Sequence, residues 1–297
     1  MSYHIGFNCH GKGRVRLVKV TRDKVDGTHA VVQYSVQILL EGDRMEHVFL
    51  TGDNAPVVAT DTCKNTVYCL ANQHEFESPE DFGLIICKHF LAQYPTIVNR
   101  VSVEIIADRW ERLTAPDSKG KLTPHKHAFK RLGPNKPFAH VQGEKRPQHD
   151  LKLSLTAGFT NFDVMKTTQS GFVGFHRDRY TSLPDAEDRL LGTSIDAEWT
   201  YPSHLIGKLK VDYKRASLAI ENALINTFAG PSDTGVYSKS VQQTLYSMAE
   251  AALKAVTDIE SVRMNLFISR TCHTYHGYHD TPLLSLSYWN HACTDGR

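Results

Sequence analysis

No apolar run in the 297 residues approaches the ~20 needed to cross a bilayer, so no membrane-spanning helix is expected. The opening residues, Met-Ser-Tyr-His-Ile-Gly-Phe-Asn, hold neither a charged stretch nor an apolar one, so a secretory leader is not expected either. An excess of one charge is also missing. The 34 Lys and Arg against 32 Asp and Glu leave a formal +2, and the modest basic cluster over 119–146 reads as a solvated loop rather than a phosphate groove. Nucleic acid is therefore excluded as an expected partner. The six cysteines (Cys9, Cys63, Cys69, Cys87, Cys272 and Cys293) have no framework spacing. Several lie on apolar faces, as free thiols in a reducing compartment do. The final Asp-Gly-Arg is not a Ser-Lys-Leu type of peroxisomal address.

What remains is an ordinary globular composition, 41% hydrophobic and 22% charged, long enough for one large domain or two ordinary ones. Arg14–Val20 and Ala30–Glu41 read as paired strands, the second with Val32, Tyr34, Val36, Ile38 and Leu40 on one face and Gly27 in the turn between them. A helix follows Thr60. Another opens with Ser78-Pro79-Glu80-Asp81, a cap, a proline at the first position and two acids. Val101, Val103, Ile105 and Ala107 then alternate as a strand, and residues 114–150 read as a hairpin excursion plus a linker. The order recurs: strands at Lys152–Thr156, Asn161–Thr167 and Ser194–Tyr201, helices at about Val211–Phe228 and Ser240–Ala255, and a strand carrying Val262, Met264, Leu266 and Ile268. Asn65-Thr66-Val67-Tyr68 and Gln243-Thr244-Leu245-Tyr246 suggest that the two halves are related. The fold class is α+β, antiparallel sheets with two helices on one face, divided into domains at 1–140 and 141–297. A sheet with one uncovered face and open edges points to an oligomer.

The stretch Pro56–Tyr68 runs from a turn into a helix, with Thr60 and Asp61 at the junction. Asn54 and Thr60 are both candidate N-caps. A helix start offers free N–H groups to an electron-rich or anionic ligand, and Thr-Asp adds a donor, an acceptor and a charge within one turn. Taken alone, the segment also reads as a capped helix and nothing more.

Three further tracts stand beside it: Gly11-Lys12-Gly13-Arg14-Val15-Arg16, the run Lys166–Phe175 continuing through Arg177–Leu183 to Asp188-Arg189, and Ser240-Val241-Gln242-Gln243-Thr244-Leu245-Tyr246. In this order and spacing the chain resembles the urate oxidase (uricase) family over about residues 10–266. The resemblance implies two tandem tunnelling-fold domains and a homotetramer whose sheets close into a barrel. Each active site would lie between subunits. The implied reaction is oxidation of urate by O2 and water to 5-hydroxyisourate and hydrogen peroxide, a step of purine catabolism. It uses no cofactor and no metal, because urate supplies the electrons. Peroxisomal location is implied by the resemblance, and the cytoplasm otherwise, since the address tripeptide is absent.

Residue by residue, Lys12 matches the family's catalytic lysine and Thr60 its threonine partner. A lysine acts as a base only when part of it is neutral, which burial favours. The hydroxyl of Thr60 can pass a proton between Lys12 and the ligand or a water. Read without the family, Lys12 is a flexible lysine between two glycines. Asp61 matches a substrate-site residue acting through its backbone N–H. Arg189 matches the arginine that clamps urate, a planar double donor suited to a planar anion; the alternative is an ion pair with Asp185 or Asp188. Gln242 matches the glutamine at the opposite edge, with Val241 supplying a backbone contact. Phe172 matches the stacking aromatic, and otherwise reads as a turn anchor.

Beyond Leu266 the resemblance breaks. The family's Pro-Asn-x-His turn has no counterpart, and Ile268 and Arg270 stand where its asparagine and histidine would. A shifted reading frame, a mis-spliced message or a truncated variant would each give such a tail. One alternative is therefore a purine-binding homologue with weak or no turnover. Another is a zinc-dependent tunnelling-fold enzyme, which would need a Cys/His site. His125-Lys126-His127 reads as structural or tunnel-facing, and the spacing of Cys272, His273, His276 and His279 fits no standard metal site.

Overall fold

The computed structural model describes residues 4–146, 151–207 and 211–268. Among the described residues nine strands and five helices follow one another: β1 (His10–Arg22), β2 (His29–Glu41), α1 (Met45–Thr51), α2 (Thr60–Gln73), α3 (Pro79–Gln93), β3 (Arg100–Asp108), β4 (Trp110–Pro116), β5 (Leu122–Arg131), β6 (Lys136–Lys145), β7 (Leu151–Lys166), β8 (Leu191–Tyr201), α4 (Tyr213–Ala229), α5 (Val241–Ala255) and β9 (Ser261–Ile268). Seven strands form one sheet in the order β1-β2-β3-β6-β7-β8-β9, antiparallel throughout, while β4 and β5 make a separate hairpin.

Alternation decides which face is covered. Ile38, Val103, Val141, Leu155 and Tyr201 are register partners across five successive strands and are all buried. Their neighbours Gln37, Glu104, His140, Thr156 and Thr200 form the opposite, polar face. The helices pack on the apolar face through Val67, Phe82, Ile86, Phe90, Ile220, Leu224 and Met248, within one continuous core. Three helices begin on side-chain caps: Ser78 accepts from the Asp81 amide, Asp212 from Arg215 and Ser240 from Gln243.

The structure corrects several expectations. The linker over 114–150 contains β6, a central strand. It is inconspicuous because its core-facing residues are Ala139, Val141 and Gly143; an added Cβ on Gly143 would stand 2.6 Å from Cys87 Sγ, so α3 sits on bare backbone there. The strands expected at Lys152–Thr156 and Asn161–Thr167 are one strand, β7, with a bulge between Phe159 and Phe162 and Asn161 at φ 57°. A short helix, α1, was not expected; Met45 is its one buried residue. The two tetrapeptides on α2 and α5 are out of structural register. They lie on helices that do not answer to each other in element order: with β1 and β2 answering to β7 and β8, α2 is the counterpart of α4 and α3 that of α5. The duplication shows instead in the bulges of β1 and β7, which leave Arg14 and Asn161 at matching positive φ. Arg270, Cys272, His273, His276, His279 and Cys293 lie outside the described residues.

Candidate active site

Strand β1 carries Lys12 opposite Ile38, which places it on the helix-covered face. The backbone comes very close here: an added Cβ on Gly11 would run into the Ile38 carbonyl oxygen. Immediately afterwards the strand bulges between Lys12 and Val15, with Arg14 at φ 56°. The extra residue lets Lys12 and Val15 share one face, so a cation sits at the rim of the core while the apolar alternation resumes with Val15 and Leu17.

Helix α2 runs alongside β1 in the same direction, tied at three levels. His10 Nε2 meets the Val58 carbonyl oxygen at 3.0 Å, the Tyr68 hydroxyl donates to the Arg16 carbonyl at 3.2 Å, and Lys19 Nζ donates to the His74 carbonyl at 2.6 Å. Lys12 and Thr60 therefore occupy the same end of the β1–α2 pair. The N-cap of α2 is Ala59, with no side chain on the free amides, which corrects the expectation of Asn54 or Thr60 as cap; Thr60 is the first helical residue and is exposed. The Asp61 carboxylate turns onto its own helix, accepting from Lys64 Nζ at 2.6 Å and Asn65 Nδ2 at 2.8 Å. Lys64 holds its pKa below the usual range, with a smaller contribution from the nearby charge of Lys12. Its side chain is thus occupied, and what it offers a ligand is the amide.

A second cluster forms where the loop after β7 meets the segment leading into α5. Phe172 and Ala186 exchange backbone hydrogen bonds of 2.7 and 3.1 Å, the Arg189 amide donates to Ser170, and the Gly171 amide donates to Ser238, two residues before the Ser240 cap. Phe172, Arg189 and the Val241-Gln242 start of α5 are thereby held in one region. The Arg189 guanidinium carbon lies 5.2 Å from the Phe172 ring centroid, and Phe172 stacks on Phe175 at 4.7 Å. The ion-pair alternative for Arg189 is not realised. Asp188 accepts from the Thr168 hydroxyl and the Gln169 amide, and Asp185 pairs with Arg177 at 3.2 Å. Among the described residues the Arg189 side chain has no hydrogen-bond partner, and its Nε is buried. Gln242 is exposed and likewise unpartnered among them.

The two clusters sit at opposite ends of the sheet, one on β1 and the other beside β8 and β9. Six inter-strand steps separate those edges, roughly 29 Å along the sheet at about 4.8 Å per strand. Within one chain, Lys12-Thr60 and Phe172-Arg189-Gln242 do not meet.

Among the described residues no group of three or more His, Cys, Asp or Glu is placed to hold a metal ion, and no helix is long and apolar enough to cross a membrane. His125 Nδ1 accepts from the amides of His127 and Ala128 and so shapes the β5 backbone. One residue beside the first cluster escaped the sequence reading: His10, two positions before Lys12 and on the same face by strand alternation.

Comparison with known proteins points to one family. A family model described as Uricase matches residues 8–142 and 155–270. The chain is 39% identical to a uricase of Arabidopsis thaliana over 261 residues, covering 86% of this chain and 81% of that protein. It is 37% identical to a uricase of Dictyostelium discoideum over 259 residues, covering 87% and 83%. The crystal structure of uricase from Arthrobacter globiformis superposes with a TM-score of 0.75 at 32% identity, covering 90% of this chain and 83% of that one.

Proposed function

The chain belongs to the uricase family, and on that premise we propose that it is a urate oxidase acting in urate degradation. Urate, O2 and water give 5-hydroxyisourate and hydrogen peroxide, with urate as the two-electron donor. The observation that carries the reading is the pair of unsatisfied half-sites: a helix start beside Lys12 with no side-chain cap, and a stacked guanidinium with no hydrogen-bond partner among the described residues. Both arrangements suit a planar, electron-rich anion.

Arg189 and Gln242 would clamp opposite edges of urate while Phe172 stacks on its face. Lys12 and Thr60 would move the proton lost as urate is oxidised, Thr60 relaying between the ammonium and the ligand or a water. The Asp61 amide would bind a urate heteroatom at the α2 N-terminus. No cofactor or metal enters this scheme.

Because the half-sites lie at opposite sheet edges, a complete site requires two chains joined head to tail, β1 side to β9 side. Such heterologous contacts close into a ring when the rotation between chains closes, and we assign a homotetramer with inter-subunit sites. Location in the peroxisome belongs to the same reading. Purified protein should consume urate, seen as loss of its ultraviolet absorbance, and release one peroxide per urate. Absence of both would overturn the assignment.

A further inference from the structure

We propose that His10 is a positioning residue for the Lys12–Thr60 pair; this rests on the urate oxidase reading above. His10 lies on β1, opposite Leu40, two residues before Lys12 and on the same face. Its Nε2 is 3.0 Å from the carbonyl oxygen of Val58, two residues before Thr60. A carbonyl only accepts, so Nε2 carries the hydrogen and donates it. That bond crosses from the strand holding the base to the turn that launches α2. It is the tether nearest the reacting end; those of Tyr68 and Lys19 lie farther along the helix.

Two observations separate this role from plain packing. The other ring nitrogen, Nδ1, is buried without a hydrogen-bond partner among the described residues. An unpaired nitrogen out of water lowers stability, and an apolar ring of similar size would fill the space without that cost. Within the turn the Val57 amide donates to the Asn54 carbonyl at 3.0 Å, but among the described residues His10 supplies the side-chain bond that ties it to β1. No side chain caps α2, and Thr60 is exposed, so its place relative to Lys12 depends on the chain just before it. Val58 is buried and Pro56 precedes it, so a bond to the Val58 carbonyl fixes the rotation of the peptide that feeds the helix.

Urate is held mainly from the other half-site, so loosening this tether should affect turnover and spare binding. His10→Phe keeps the ring and removes the donor; His10→Gln keeps a donor near the Nε2 position. The full chain is compared in three forms by steady-state urate oxidation, thermal melting and amide hydrogen exchange over residues 57–62. Expected for His10→Phe are a kcat lowered about tenfold, KM for urate within about twofold of wild type, a retained melting temperature and faster exchange. His10→Gln should recover most of the kcat and the protection. A His10→Phe enzyme with wild-type kcat and protection overturns the proposal. So does a joint loss of kcat and melting temperature that His10→Gln fails to restore, which would mark a purely structural residue. If the wild type itself does not turn over urate, the urate oxidase reading fails, and the exchange comparison alone still decides whether His10 anchors the turn.

Discussion

The guanidinium carbon of Arg189 stands 5.2 Å from the centre of the Phe172 ring, with the two aspartates nearest in sequence committed elsewhere. An arginine held against an aromatic face and left without an anion is ready to receive one. Arg189→Ala should raise KM for urate about a hundredfold, roughly 3 kcal/mol, as expected for losing two charge-assisted hydrogen bonds. Arg189→Lys should restore little, because an ammonium cannot match the two-point fork. Thermal stability should change little, since among the described residues the side chain makes no hydrogen bond or ion pair and loses only its packing on Phe172. Initial rates across urate concentrations check this, and an unchanged KM would remove Arg189 from the clamp.

Lys12 and Thr60 should behave in the opposite way. Lys12→Met keeps the aliphatic stem on the core rim and removes the proton carrier. We expect kcat to drop about 10²–10⁴-fold, the usual share of a general base, with KM little changed. Thr60→Val should lower kcat by a smaller factor and leave melting unchanged, because α2 draws no cap from that hydroxyl.

Gly11 sets the geometry for both. Gly11→Ala would drive a methyl into the Ile38 carbonyl, so β1 must move off β2 at the point where Lys12 is aimed. A loss on the order of 3 kcal/mol in denaturant unfolding is expected, the scale of a backbone clash in a core strand. Gly13→Ala, whose added methyl would meet only a Gln37 side-chain oxygen at 3.3 Å, should cost far less.

Glu80 gives a pH signature in stability. Burial pushes its carboxyl from 4.5 up to about 7. The folded state thus keeps a proton that the unfolded chain releases near 4.5, so stability from this site is full below about pH 4.5 and is lost as pH rises to about 7. The loss is on the order of 3 kcal/mol at the upper end. Glu80→Gln, neutral at every pH, should match wild type at pH 4.5 and melt higher at pH 8. Equal melting curves at both pH values would show that Glu80 is not held protonated.

Much of this was readable in the sequence, for physical reasons that differ by element. The alternation of Val32 through Leu40 gave β2, and Ser78-Pro79-Glu80-Asp81 gave the start of α3, because both patterns are local. β6 was hidden because its covered face is Ala139, Val141 and Gly143, whose small size is dictated by α3 and not by strand preference. The single β7 was hidden because Gly158 and the bulge at Asn161 interrupt its alternation. The bond from His10 to Val58 spans 48 positions, and nothing local announces it. Arg189 could be singled out by resemblance, but only the geometry shows that Asp185 and Asp188 are taken.

The separation of the half-sites gives the strongest test of assembly. Lys12→Met inactivates one edge of a subunit and Arg189→Ala the other, so each variant alone lacks every complete site. In a head-to-tail ring assembled from both chains, some interfaces join an intact Lys12 edge to an intact Arg189 edge. Random mixing makes about a quarter of the sites wild type, so co-expression should return about that share of activity. Mixing the two proteins after separate folding should return it only as subunits exchange. If each chain formed its own site, no combination of the two could recover turnover, and the β1-to-β9 arrangement would have to be abandoned.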